Sequence, residues 1–214
     1  LATSFLKNEN RVTSRITPSF IRDTRDSFLN PTTGSRHVVR LDLAGGILGG
    51  SDFHKMFYES SFYRPIVDKL VGMLHWRISW ADGYGDDKLP SFERYFMGGP
   101  TTLRGFNIKN VGPKDGSGNP IGGNQSLLFN TELQYPFTKG LRGFVFYDRG
   151  NLYGGGPNIS TTTTTWDLGE MRQSIGAGVR FLSPFGPIGL AYGLKLDKAS
   201  GEDPSEFHFS AGSA

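Results

Sequence analysis

Hydrophobic and polar residues alternate strictly along several segments of this chain. In 126–137 the odd positions carry mainly Leu, Phe and Tyr, whereas the even positions carry polar residues such as Glu132. Successive side chains of a β-strand point to opposite faces, so this alternation predicts a strand with one apolar and one polar face. The same alternation occurs in 171–182 and 187–197, and helical spacing fits neither segment better.

The alternation and the turn signals between the segments together predict nine strands. The predicted strands are 14–23, 36–45, 54–64, 70–82, 125–136, 141–150, 171–182, 187–197 and 206–214. Short connections alternate with long polar ones, and the longest connection is 83–124. Short turns at one end of a sheet and long loops at the other are typical of an outer-membrane barrel.

The two faces of the predicted strands differ in composition. The apolar faces are rich in Leu, Phe, Tyr and Trp, while the opposite faces carry Arg, Lys, Glu, Asp and Gly. A lipid-facing exterior and a wet lumen explain both faces. We therefore predict an all-β fold, an antiparallel transmembrane β-barrel of which this chain is a part. A soluble barrel or sandwich is the alternative, but a sandwich would bury one face of every strand against a second sheet.

Composition excludes several functions. Cysteine is absent, which rules out disulfides, thiolate metal sites and cysteine catalysis. The net charge of +3 comes from scattered single Lys and Arg residues, so no nucleic-acid partner is indicated. None of the four histidines lies in a nucleophile motif, and there is no Gly-x-Ser-x-Gly. We expect a protein that is not an enzyme and that has no cofactor or metal site.

The long connection 83–124 contains a motif. A Gly-Gly doublet precedes Leu103-Arg104-Gly105-Phe106, and a barrel strand follows. This arrangement resembles the signature of the BamA family and its relatives, which include the TamA proteins and the organellar barrel-assembly factors. The resemblance covers almost the whole chain, including the turn segments near residues 22–36 and 183–187.

The resemblance implies that residues 1–214 are the C-terminal part of an outer-membrane barrel of about sixteen strands. The loop 83–124 is then extracellular and folds back into the lumen. The early barrel strands, the periplasmic POTRA domains and any signal peptide are expected outside this chain. The chain departs from the family at Ala214, where a terminal aromatic residue is expected.

The resemblance also implies partners for Arg104, namely an inward-facing acid on each of the next two strands. Glu132 and Asp148 occupy those positions. The alternation puts Glu132 on the polar face of its strand, whereas Asp148 shares a mixed face with Phe144 and Phe146. A planar guanidinium can bind two carboxylates, and partial exclusion of water would strengthen the contact. The alternative is that Arg104 is an ordinary solvated loop residue.

The implied function is folding and insertion of β-barrel proteins into the bacterial outer membrane, through a seam between the first and last strands. Gly212, near the C-terminus, would permit a kink that weakens the seam; it is equally well read as an ordinary small residue. The implied partners are membrane lipid, unfolded outer-membrane proteins, and accessory lipoproteins bound through N-terminal domains. A passive outer-membrane pore and a TamA-like translocation factor are the alternatives. Nine antiparallel strands cannot close, so exposed edges or an oligomer of this chain are expected.

Overall fold

A computed structural model describes residues 13–85, 88–154, 166–184 and 186–212 of the chain. Ten antiparallel strands form a single sheet within this part. The strands are β1 (Arg15–Ile16), β2 (Ser19–Asp23), β3 (Gly34–Ala44), β4 (Phe53–Val67), β5 (Leu70–Gly83), β6 (Gln125–Pro136), β7 (Leu141–Tyr153), β8 (Arg172–Ser183), β9 (Gly186–Lys195) and β10 (Ser205–Ala211).

The strands follow one another in chain order across the sheet. From β3 to β10 each strand pairs with the next, and both β1 and β2 pair with β3. The prediction of one strand over 14–23 was wrong, because the segment is interrupted at Pro18. Proline has no N–H to donate to a ladder, and its carbonyl alone still accepts a hydrogen bond from Leu41 N at 3.1 Å.

The two faces of the sheet show an inverted pattern of burial. On β6 the side chain of Leu133 is 41% exposed, whereas the neighbouring Glu132 is 2% exposed. Val145 on β7 and Tyr192 on β9 are likewise exposed on the apolar face. A soluble protein buries such residues and exposes its acids. The sheet therefore presents an apolar exterior suited to lipid and a polar interior, which confirms the predicted barrel-type fold.

None of the helical segments in the described ranges is long and apolar enough to cross a membrane. Those helices are short 3-10 turns in the connections, for example Gly46–Leu48 and Ser91–Glu93.

The long connection between β5 and β6 folds onto the polar face of the sheet. Its bridges Tyr95 to Gly123 and Met97 to Val111 give it local order. By contrast β6 and β7 are joined by a tight turn, in which Phe137 N donates to Leu141 O at 2.9 Å. Loop lengths thus segregate by end of the sheet, as the sequence indicates.

The sheet is not closed within the described residues. β10 pairs with β9 alone, and β1 and β2 pair with β3 alone. Each outer strand therefore leaves one row of backbone N–H and C=O groups without a strand partner in the described part of the chain. An unclosed antiparallel sheet is the partial barrel that the sequence predicts, with ten strands rather than nine.

Candidate functional site

The motif Leu103-Arg104-Gly105-Phe106 is buried against the sheet. Leu103 and Phe106 are 0% and 2% exposed, and they belong to an apolar cluster that joins the loop to Leu128 of β6 and Leu152 of β7. Burial of two large apolar side chains stabilises the folded-back loop by a few kcal/mol, at roughly 1.5–3 kcal/mol for each. This packing fixes the backbone that carries Arg104.

Arg104 binds both acids that the resemblance implies. Its Nε donates to Asp148 Oδ2 and its Nη2 to Asp148 Oδ1, each at 2.7 Å. The Arg104 backbone N–H donates to the same Asp148 Oδ2 at 3.1 Å. A further guanidinium nitrogen, Nη1, donates to Glu132 Oε1. The structure thus brings Arg104, Glu132 and Asp148 together, with a bidentate contact to Asp148.

The charged groups of this cluster are buried, and their charges balance when Arg180 is included. Arg104, Glu132 and Asp148 are 6%, 2% and 0% exposed. Arg180 of β8 supplies a second cation, with its Nη2 3.6 Å from Glu132 Oε1. Burial lowers the pKa of Arg104, but the negative charges of Glu132 and Asp148 outweigh burial and raise that pKa above its ordinary value. Arg104 is therefore charged at every physiological pH. We call Arg104, Glu132 and Asp148 the latch.

The register of β6 and β7 places the two acids on one face. Asn130 pairs with Asp148, and Glu132 pairs with Phe146, so the acids lie diagonally across the strand pair. The mixed face of β7 also has an explanation here. Phe146 has the same parity as Asp148 and therefore faces inward, where the Arg104 guanidinium lies over its ring, with the guanidinium carbon 3.8 Å from the ring centroid.

The backbone of the motif contacts the last three strands of the sheet, β8, β9 and β10. Ser174 Oγ of β8 donates to the Arg104 carbonyl oxygen at 2.5 Å. Gly105 N donates to His208 Nε2 of β10 at 2.8 Å. A Cβ on Gly193 of β9 would lie 2.6 Å from Gly105 Cα, so glycine is required for this approach. Sequence reasoning missed Ser174 and His208, although strand parity places each of them on the inner face.

A second ionic contact holds the beginning of the loop. Glu93, in a 3-10 turn, is 7% exposed and accepts a hydrogen bond from Arg15 Nη2 at 2.6 Å. Lys55 Nζ lies 3.1 Å from the Glu93 carboxylate and donates to the Glu93 carbonyl at 2.9 Å. No sequence pattern predicts this contact, because Glu93 lies outside any alternating segment. We call Glu93, Arg15 and Lys55 the second anchor.

Gly212 lies just beyond β10 rather than inside the predicted strand 206–214. Its φ is +103°, and its N–H donates to Pro187 O at 3.0 Å. Pairing with β9 therefore reaches one residue past the strand, in a backbone conformation that favours glycine. The role of Gly212 in a seam stays a prediction, and residues 213–214 lie outside the described ranges. Within those ranges no group of three His, Cys, Asp or Glu could hold a metal ion.

The chain is similar to proteins of known family. A family model for the Omp85 superfamily domain matches residues 2–214. The chain belongs to the Omp85 superfamily. It is 36% identical over 203 residues to the outer membrane protein assembly factor BamA of Nitratidesulfovibrio vulgaris, covering 90% of this chain and 24% of that protein. It is 29% identical over 224 residues to BamA of Neisseria meningitidis, covering 89% and 27%.

A solved structure has the same fold. It is BamA from Haemophilus ducreyi lacking POTRA domains 1–3, with a TM-score of 0.77, 23% identity, and coverage of 91% of this chain and 41% of that one. The Omp85 chain spans about a quarter of the length of the curated relatives it matches. The predicted family, the partial barrel and the bacterial outer membrane as its location are confirmed.

Proposed function

We propose that the protein containing this Omp85 chain folds and inserts β-barrel proteins into the bacterial outer membrane. The relatives named as assembly factors support this proposal. The observation that carries it for this chain is the latch, in which a loop arginine is buried between Glu132 and Asp148. A passive pore would not require the Leu103-Arg104-Gly105-Phe106 motif on this loop.

In this proposal the latch acts by holding the loop against the polar face of β6, β7 and β8. The Arg104 side chain binds β6 and β7, while its carbonyl oxygen accepts from Ser174 of β8. Arg104 therefore joins three adjacent strands, β6, β7 and β8, at the polar face of the sheet. A loop fixed in this way sets the curvature of the wall that leads to β10, where the proposed seam lies.

The seam itself would work by strand addition. The outer edge of β10 carries backbone groups without a strand partner in the described residues. An incoming unfolded strand can pair with such a row of N–H and C=O groups. Gly212, with its positive φ at the end of β10, would let the edge bend away from β9.

The proposed partners follow from the same surfaces. Membrane lipid contacts the apolar exterior, and unfolded outer-membrane proteins pair with the β10 edge. Accessory lipoproteins would bind domains outside residues 1–214. Neither a cofactor nor covalent chemistry is required, because strand addition exchanges only hydrogen bonds and buried surface.

The test uses the full-length protein in lipid vesicles, with the folding rate of an unfolded barrel substrate as the readout. Arg104→Ala should lower that rate several-fold while the barrel stays folded, as judged by its heat-modifiable migration on gels. Arg64→Ala is the matched control, since Arg64 is exposed on β4. An unchanged folding rate for Arg104→Ala contradicts the proposal. Solute-selective conductance without any effect on substrate folding favours the passive pore.

A further inference from the structure

The last strand of the sheet contacts the loop motif through one hydrogen bond. Gly105 N donates to His208 Nε2 at 2.8 Å, across a separation of 103 residues in sequence. Both residues are buried, and His208 is 5% exposed. Because Nε2 accepts here, it carries no proton, and the ring is the neutral tautomer protonated on Nδ1.

A second pair of residues joins the same two elements. The side-chain amide of Asn107, in the orientation that satisfies its neighbours, donates to both carboxylate oxygens of Glu206, at 2.5 and 3.2 Å. Glu206 and His208 have the same parity on β10 and therefore lie on the same face. The loop thus bonds two successive inward positions of the strand whose other edge has no partner in the described residues.

We propose that His208 is a positioning residue that couples the β10 edge to the latch. Arg104 and Gly105 are adjacent, so two successive backbone N–H groups are held, the first by Asp148 and the second by His208. When β10 moves away from β9, the His208 acceptor leaves and the buried Gly105 N–H loses its partner. An unpaired buried N–H costs free energy. Displacement of β10 therefore requires the loop to move with it, and a fixed loop holds β10 in place. This inference rests on the proposed function, in which β10 is displaced by an incoming strand.

The coupling depends on pH, because the acceptor is a histidine nitrogen that can take up a proton. A doubly protonated imidazole has two donors and cannot accept from Gly105 N–H. The charged groups that face the ring are Glu206 on its own strand, Arg104 of the loop and Asp148 of β7. Arg180 of β8 also lines the small cavity beside His208. A glutamine at position 208 offers an amide oxygen as acceptor that does not titrate.

The experiment measures amide hydrogen exchange of the loop peptide 101–109 in the full-length protein, without any substrate. The variants are His208→Leu, which has no acceptor, and His208→Gln, which keeps one. Exchange is compared from about pH 7.5 down to about pH 4.5, after correction for the intrinsic rate, so that the range covers the ordinary histidine pKa of about 6.5 and values well below it. His37→Leu is the control, since His37 lies on the outer face of β3, where it bonds Ser60 and contacts Phe62 instead of the loop.

We expect His208→Leu to raise exchange of the loop peptide about tenfold at the higher pH, and His208→Gln to restore it. Acidification should raise exchange in the parent protein but not in His208→Gln. Unchanged exchange in His208→Leu overturns the coupling. So does an equal rise in His208→Leu and His208→Gln without dependence on pH, because His208 would then act by packing alone. Substrate folding is measured separately, so a failure of the proposed function is distinguishable from a failure of this coupling.

Discussion

Removal of the Arg104 side chain tests the energetics of the latch. Arg104→Ala deletes both guanidinium contacts to Asp148 and leaves that carboxylate with the backbone N–H of residue 104. Glu132 is better protected, because Arg180 lies 3.6 Å away and Gln134 Nε2 donates to it at 2.6 Å. Most of the cost should therefore come from Asp148.

The magnitude follows from the burial of the partners. Breaking a buried ion pair by removing one partner costs about 3–5 kcal/mol, because a charge is left uncompensated. Asp148 is fully buried, so this range applies rather than the 0–1 kcal/mol of an exposed pair. Asp148→Asn in the Arg104→Ala background removes the stranded charge and should recover about 1–3 kcal/mol. Glu132→Gln in the same background should recover less.

The assay is equilibrium unfolding of the full-length protein in detergent, with a double-mutant cycle between Arg104 and each acid. The coupling energy should be larger for Asp148 than for Glu132. If Arg104→Ala costs less than about 1 kcal/mol, or if Asp148→Asn recovers nothing, the latch contributes no more than an exposed ion pair and the reasoning fails.

Three further predictions concern the loop and its surroundings. Gly193→Ala places a methyl carbon 2.6 Å from the backbone of Gly105, so it should loosen the loop and raise its protease sensitivity; Gly189→Ala, which meets only a movable serine hydroxyl, should not. Glu93→Gln removes the charge of the second anchor, and we expect faster proteolytic cleavage within 84–95 but an unchanged latch, checked by Arg104-dependent stability. Arg172, the first residue of β8, donates to Glu202 and lowers the pKa of the Glu202 carboxyl to about 2. A depressed carboxyl pKa stabilises the fold above the ordinary value near 4.5 and ceases to do so as pH falls through about 2. Glu202→Gln should therefore lower the thermal midpoint at neutral pH and leave it unchanged near pH 2; an equal effect at both pH values would contradict the ion pair.

The sequence alone was enough for the architecture. Alternation with a period of two fixes which residues share a face, and this is a local property of the chain. It placed Glu132 on the polar face and gave most strand bounds within a few residues. Loop lengths predicted that the short turns lie at one end of the sheet and the long loops at the other. The motif around Arg104 indicated the family. The exception was 14–23, which was predicted as one strand although Pro18 has no N–H for the ladder, and which forms two short strands.

Only the tertiary structure decided which inward residues meet. Arg104 lies 28 residues from Glu132 and 44 from Asp148 along the chain, and their contact depends on strand register and on how the loop folds back. His208 is 103 residues from Gly105, and Glu93 is 78 from Arg15. Parity assigns such residues to a face but not to a partner, because a partner is set by the curvature of the sheet and the packing of the loop against it.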